Sequence, residues 1–169
     1  PSMNQRAIDR YLSTLLAYAA PARCGRPVSS DCLGLVHAPA QGPESVRSLV
    51  WGADGACAFT LSRFRQTVWE WAARAGDRAD APPPPVDVLR ARVEPGHPVF
   101  DHLDARLVRA CRNRSEGGAG MDYYLLLWRL GGESQAVECY EPHLRQDAPW
   151  TTLVNALQTL SSQYEYAAL

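Results

Sequence analysis

The chain has 169 residues, 17 of them basic and 18 acidic, for a formal net charge of −1. This length suits a single domain that buries roughly 70% of its unfolded surface, so it needs neither disulfides nor a metal to fold. The balanced charge argues against a nucleic-acid partner, which requires clustered positive charge, and no apolar run is long enough to span a membrane.

Every basic residue is arginine. The missing lysine excludes Schiff-base chemistry and a phosphate-binding loop that depends on lysine. Richness in arginine, proline and alanine points to a GC-rich genome, bacterial or viral. A cytoplasmic location is expected, with the periplasm or secretion as alternatives.

Residues 4–19 predict an amphipathic helix, with Ile8, Leu12, Leu15, Leu16 and Ala19 on one face and Pro21 as its stop. Asp9 and Arg10 precede the apolar stretch, which favours a helix of the mature chain over a signal-peptide core. After a Pro/Gly/Ser loop, "CLGLVH" reads as a strand, and "VRSLVWG" and "GACAFTLSRF" around Asp54–Gly55 read as a β-hairpin. Cys57, Phe59 and Leu61 then share the core face. In "QTVWEWAARAG" the tryptophans straddle a strand, so the second hairpin strand is expected to run on into them. The proline-rich stretch at about 76–85 reads as a linker inside one domain spanning 1–169.

"VDVLRARV" alternates and predicts a strand, and "PVFDHLDARLVRACR" predicts one helix with Phe100, Leu103, Leu107 and Cys111 inward. Two β-rich runs joined by Gly131–Gly132 predict a second hairpin, whose first strand is central because both its faces are apolar. Asp147 and Pro149 start a last helix with Leu153, Leu157, Leu160 and Tyr164 in one stripe. The expected fold is α+β: an antiparallel sheet of about five to six strands with helices packed mainly on one face.

Five cysteines lie at positions 24, 32, 57, 111 and 139, with no C-x-x-C pair. A Cys24–Cys32 disulfide in an oxidising compartment and five reduced, mostly buried thiols are the alternatives, and the reduced state is preferred. "GHPVFDHLD" gathers His97, Asp101, His102 and Asp104, but its histidines are five apart and do not share a helical face. Neither metal nor cofactor is expected. His37, at the end of its apolar run, is assigned a capping or surface role.

Arg106, Arg109 and Arg112 form a basic ridge on the predicted helix, and Trp69, Trp71, His143 and Arg145 add aromatic and polar groups suited to a protein interface. These seven are the candidate partner-binding residues.

Two resemblances add to this reading. "DCLGLV" resembles the cysteine motif "DCSGLV" of the NlpC/P60 cell-wall peptidases. That resemblance implies a cysteine hydrolase with Cys32 as nucleophile at a helix start and His97 or His102 as base, whereas the residues themselves read as a strand with a core thiol. Residues 121–160, "YYLLLWRLGGESQAVECYEP" followed by a "PW..L...L..L" helix, resemble small bacterial inhibitor and immunity-type proteins. This second resemblance implies a protein that binds and blocks a partner.

The leading expectation is a non-enzymatic protein-binding domain, of inhibitor, immunity or secretion-chaperone type, that acts by steric occlusion of another protein. A homo-oligomer is left open. The alternatives are the cysteine hydrolase and a viral accessory or structural protein.

Overall fold

A computed structural model describes residues 5–19, 31–118 and 120–169. A proposed Cys24–Cys32 disulfide therefore lies outside the described residues. The elements are α1 (Gln5–Ala19), β1 (Cys32–Ala38), β2 (Ser45–Trp51), β3 (Cys57–Phe64), α2 (Val68–Ala75), β4 (Val86–Val93), α3 (Ala105–Ala110), β5 (Tyr123–Leu130), β6 (Glu133–Tyr140) and α4 (Ala148–Ala167). The six strands form one sheet in the order β4-β3-β2-β1-β5-β6, and every neighbouring pair is antiparallel. This is the expected α+β class with an antiparallel sheet, and β5 is an interior strand, but the helices cover both faces rather than mainly one.

Strand alternation divides the core in two. Leu33, Leu35, Leu49, Phe59, Leu61, Leu126 and Trp128 face α4, where they meet Trp150, Leu153, Val154, Leu157 and Leu160. Asp147 caps α4 by accepting from the Trp150 amide at 3.4 Å, and the predicted stripe is the face it buries. α3 packs on this side through Val108. On the opposite face, Val36, Val46 and Phe64 meet Leu15 and Ala19 of α1 and Val68 of α2. α1 comes so close that a Cβ on Gly34 would collide with the carbonyl of Ala19.

Two expected elements differ. The tryptophan segment is helix, not a continuation of β3. Thr67 is the N-cap, accepting from the Glu70 amide at 3.2 Å, and the Val68 amide donates to the carboxylate of Glu44 at 2.7 Å. These bonds satisfy the orphan donors of the first turn, and the negative charge favours the helix N-terminus. The second difference is in residues 98–112, where the single predicted helix is broken into a 3₁₀ turn, Pro98–Asp101, and the short α3. Asp104 sets the break by capping α3 at the Leu107 amide, 2.8 Å away; Arg112 lies beyond the helix end.

The sheet edges are treated differently. Along β4, Asp87 pairs with Arg65 at 2.6 Å, and Arg92 pairs with Asp54 at 2.8 Å and Glu94 at 2.9 Å. On β6, the Arg114 amide donates to the Glu138 carbonyl at 2.8 Å and the Tyr140 amide donates to the Arg114 carbonyl at 3.2 Å. The Glu138 amide donates to Asn113 Oδ1 at 3.0 Å.

Candidate functional site

The register of the sheet builds one polar layer beneath the C-terminal half of α4. Tyr124, His37, Ser45, Arg63 and Asp87 are successive cross-strand neighbours on the α4 side. The next row reads Leu126, Leu35, Arg47, Leu61 and Leu89. Arg47 is thus an arginine set in an otherwise apolar row at the margin of the main core.

Arg47 is 4% exposed. Its Nε–H donates to Ser161 Oγ at 2.7 Å and its Nη1–H donates to Ser45 Oγ at 3.1 Å. Ser161 in turn donates to the Leu157 carbonyl at 2.8 Å. Among the described residues Arg47 pairs with no carboxylate, and its Nη2 group has no hydrogen-bond partner. A guanidinium carries five donors, so its outer edge is left to the cavity it lines. Burial, and after it the neighbouring charge of Arg63, pulls the Arg47 pKa down to about 10. It remains a cation at neutral pH, opposed in charge only by Glu165, which Arg63 holds.

The cavity has a volume of about 500 Å³ and is lined by Arg47, His37, Ser45, Arg63, Gln158 and Ser162, among others. Arg63 holds Glu165 in a two-bond fork, at 2.7 and 3.1 Å. His37 is half-buried, stacks on Tyr124 with ring centroids 4.3 Å apart, and lies 3.3 Å from the Asp122 carboxylate. Burial lowers its pKa, against the opposing pull of Asp122. Asp122 also accepts from the Ala40 amide at 2.7 Å. The nearby carboxylates are thus already engaged. Glu44 also borders the cavity, but its carboxylate is turned to the α2 side, where it caps that helix.

The other candidate residues do not converge. Cys32 projects to the α1 side of β1, whereas His97 sits on the α4 side. The His97 Nδ1 accepts from the Val99 amide at 3.0 Å, which leaves Nε2–H to donate to Gln163 Oε1 at 2.9 Å. His102 is exposed at the end of the 3₁₀ turn. The sheet separates Cys32 from both histidines, so it has neither a base at hand nor a helix start beneath it. Burial raises its pKa, with Arg129 opposing, which is the reverse of what an activated thiol needs. Among the described residues no group of three or more His, Cys, Asp or Glu is placed to hold a metal ion. No helix among them is long and apolar enough to cross a membrane.

The candidate interface residues fall into separate places. Trp69 is exposed on α2, with its ring edge-on to Tyr11 at 5.2 Å. Trp71 is half-buried, and its Nε1–H donates to the Pro82 carbonyl at 2.9 Å. Arg106, Arg109 and Arg112 are exposed on the α4 side of the sheet. Arg109 lies over the Trp128 ring, 5.9 Å from its centroid, and donates to the Leu130 carbonyl at 3.3 Å. His143 meets Asn155 at 3.1 Å, and Arg145 donates to the Tyr140 carbonyl at 2.7 Å. Both tether the β6–α4 loop.

Sequence reasoning missed Arg47, Ser45 and Arg63. The signal was present in "SVRSLVW": Arg47 shares its strand face with Leu49 and Trp51, so an amphipathic reading of β2 places a charge on the core side. Compared with protein-family models, curated proteins and solved structures, the chain matches none.

Proposed function

We propose that the chain is a non-enzymatic protein-binding domain, of inhibitor, immunity or secretion-chaperone type, which acts by covering part of a partner protein. The observation that carries this reading is the apolar ledge on the helix pair α1–α2. Trp69 is 47% exposed, Leu12 44% and Leu16 36%, and Trp69 is held in place by its edge contact with Tyr11. A half-exposed tryptophan fixed by a neighbouring ring offers a large contact area at little entropic cost, which is the make-up of an interface anchor. Leu12 and Leu16 lie one turn apart on α1, about 100–140° around the helix from Tyr11, and add exposed apolar surface on another flank of it.

The experiment is affinity capture from an extract of the source cells, followed by reconstitution with the purified captured protein. The double variant Leu12→Ser/Trp69→Ala, with its thermal midpoint checked, is expected to weaken that complex at least about a hundredfold, as loss of an aromatic anchor does. Arg106→Ala serves as a distant control. Equal affinity for the double variant and the unaltered chain overturns the assignment.

A further inference from the structure

We propose that the cavity under the C-terminal half of α4 is a binding site for a phosphate group carried by a small organic molecule, received by Arg47. This site lies on the opposite side of the sheet from the α1–α2 ledge and is independent of what covers that ledge.

Three observations carry the assignment. First, Arg47 is 4% exposed, yet its hydrogen bonds go to two serine hydroxyls, and Nη2 is left over. Glu165, the carboxylate whose charge reaches Arg47, is forked to Arg63 instead; burial of a cation so weakly compensated is costly, and an anion in the cavity would offset that cost. Second, donors surround the space from two layers. Arg47, Ser45 and Arg63 rise from β2 and β3 below, while Gln158 and Ser162 descend from α4 above. Donors arriving from several directions suit a tetrahedral oxyanion better than a planar carboxylate, which is best met by one fork in its own plane. Third, the local carboxylates are committed elsewhere: Glu165 to Arg63, Asp122 to His37 and the Ala40 amide, and Glu44 to the start of α2. The volume of about 500 Å³ exceeds the needs of a bare phosphate, so the group arrives on an organic body.

The test is phosphorus NMR titration of the full chain with inorganic phosphate and with glycerol 3-phosphate, with sulfate and acetate as competitors. Saturable line broadening by both phosphates is expected, tighter for glycerol 3-phosphate, displaced by sulfate and not by acetate. Arg47→Met is expected to weaken binding at least about tenfold, the worth of one charge-assisted hydrogen bond, and Arg106→Met to leave it unchanged. Should Arg47→Met fail to fold, Arg63→Met gives the same reading from the rim of the cavity, with a loss of several-fold. Absence of saturable broadening overturns the proposal. So does undiminished binding in a folded Arg47→Met or Arg63→Met chain, and so does displacement by acetate in preference to sulfate.

Discussion

The carbonyl of Ala19 occupies the space in which a side chain at position 34 would stand. Gly34 lies at the middle of β1, and Ala19 is fully buried at the end of α1. The absence of one Cβ is what lets α1 lie directly on the sheet. Gly34→Ala is expected to lose about 1–3 kcal/mol through this clash, the range for overpacking. Gly96→Ala, where an added Cβ meets open space, is expected to stay within about 0.5 kcal/mol. Urea unfolding of the two variants checks this, and equal midpoints contradict it.

Arg47 leads to a prediction about stability as well as binding. Replacing a buried charge by an apolar side chain of similar length is often neutral or stabilising. Ser161 keeps its own bond to the Leu157 carbonyl, and Ser45, which loses its bond from Arg47, lines the cavity where water can reach its hydroxyl. Arg47→Met is therefore expected to fall within about 1 kcal/mol of the natural chain or above it, in phosphate-free buffer. A loss of several kcal/mol in chemical denaturation would show that the arginine is held for the fold rather than for a ligand.

The pH dependence follows from His37. Burial keeps its folded-state pKa below the ordinary imidazole value, near 6.5 in an unfolded chain. The unfolded chain therefore binds the proton first on acidification, and stability falls as the pH drops through about 6.5 towards the lower folded value. The loss is at most ~1.4 kcal/mol per pH unit for one proton. His37→Gln is expected to flatten this part of the curve, measured as urea midpoints between neutral and mildly acidic pH. A slope that survives the substitution assigns the effect to another group.

Thiol labelling offers a separate check on the core. Burial pushes Cys57 and Cys111 up to about 12 and Cys139 up to about 11. Against an ordinary thiol near 8.5, the first two hold on the order of a thousandfold less thiolate at neutral pH. Iodoacetamide mapping by mass spectrometry is expected to leave these three unmodified in the folded chain and to reach Cys32, half-buried on β1, before them. Rapid native-state modification of Cys57 or Cys111 contradicts the packing described.

Most of the sheet was legible because its signals are local. Gly131 and Gly132 both adopt positive φ in the β5–β6 turn, where glycine carries no steric penalty. The stripe Leu153, Leu157 and Leu160 needed only its own spacing to declare α4. The tryptophan helix was misread because the pair Trp69 and Trp71 fits either period. The deciding features were Thr67 three residues before Glu70, which is legible in sequence as a capping pair, and Glu44, which reaches α2 from a loop 24 residues away and is not legible at all. The polar cavity stayed hidden for a similar reason. His37, Ser45, Arg47, Arg63 and Gln158 come from three strands and one helix, and only the register of the folded sheet brings them together.

The backbone of Arg114 and the side chain of Asn113 consume the outward hydrogen-bonding groups of β6 at Glu138 and Tyr140. What remains for an incoming strand at that margin is the fully exposed start of the strand, residues 133–136, a template roughly 14 Å long. At the far margin β4 offers ionised side chains instead. One border is used up over half its length and the other is charged, which leaves little of this sheet open to fibril-like extension.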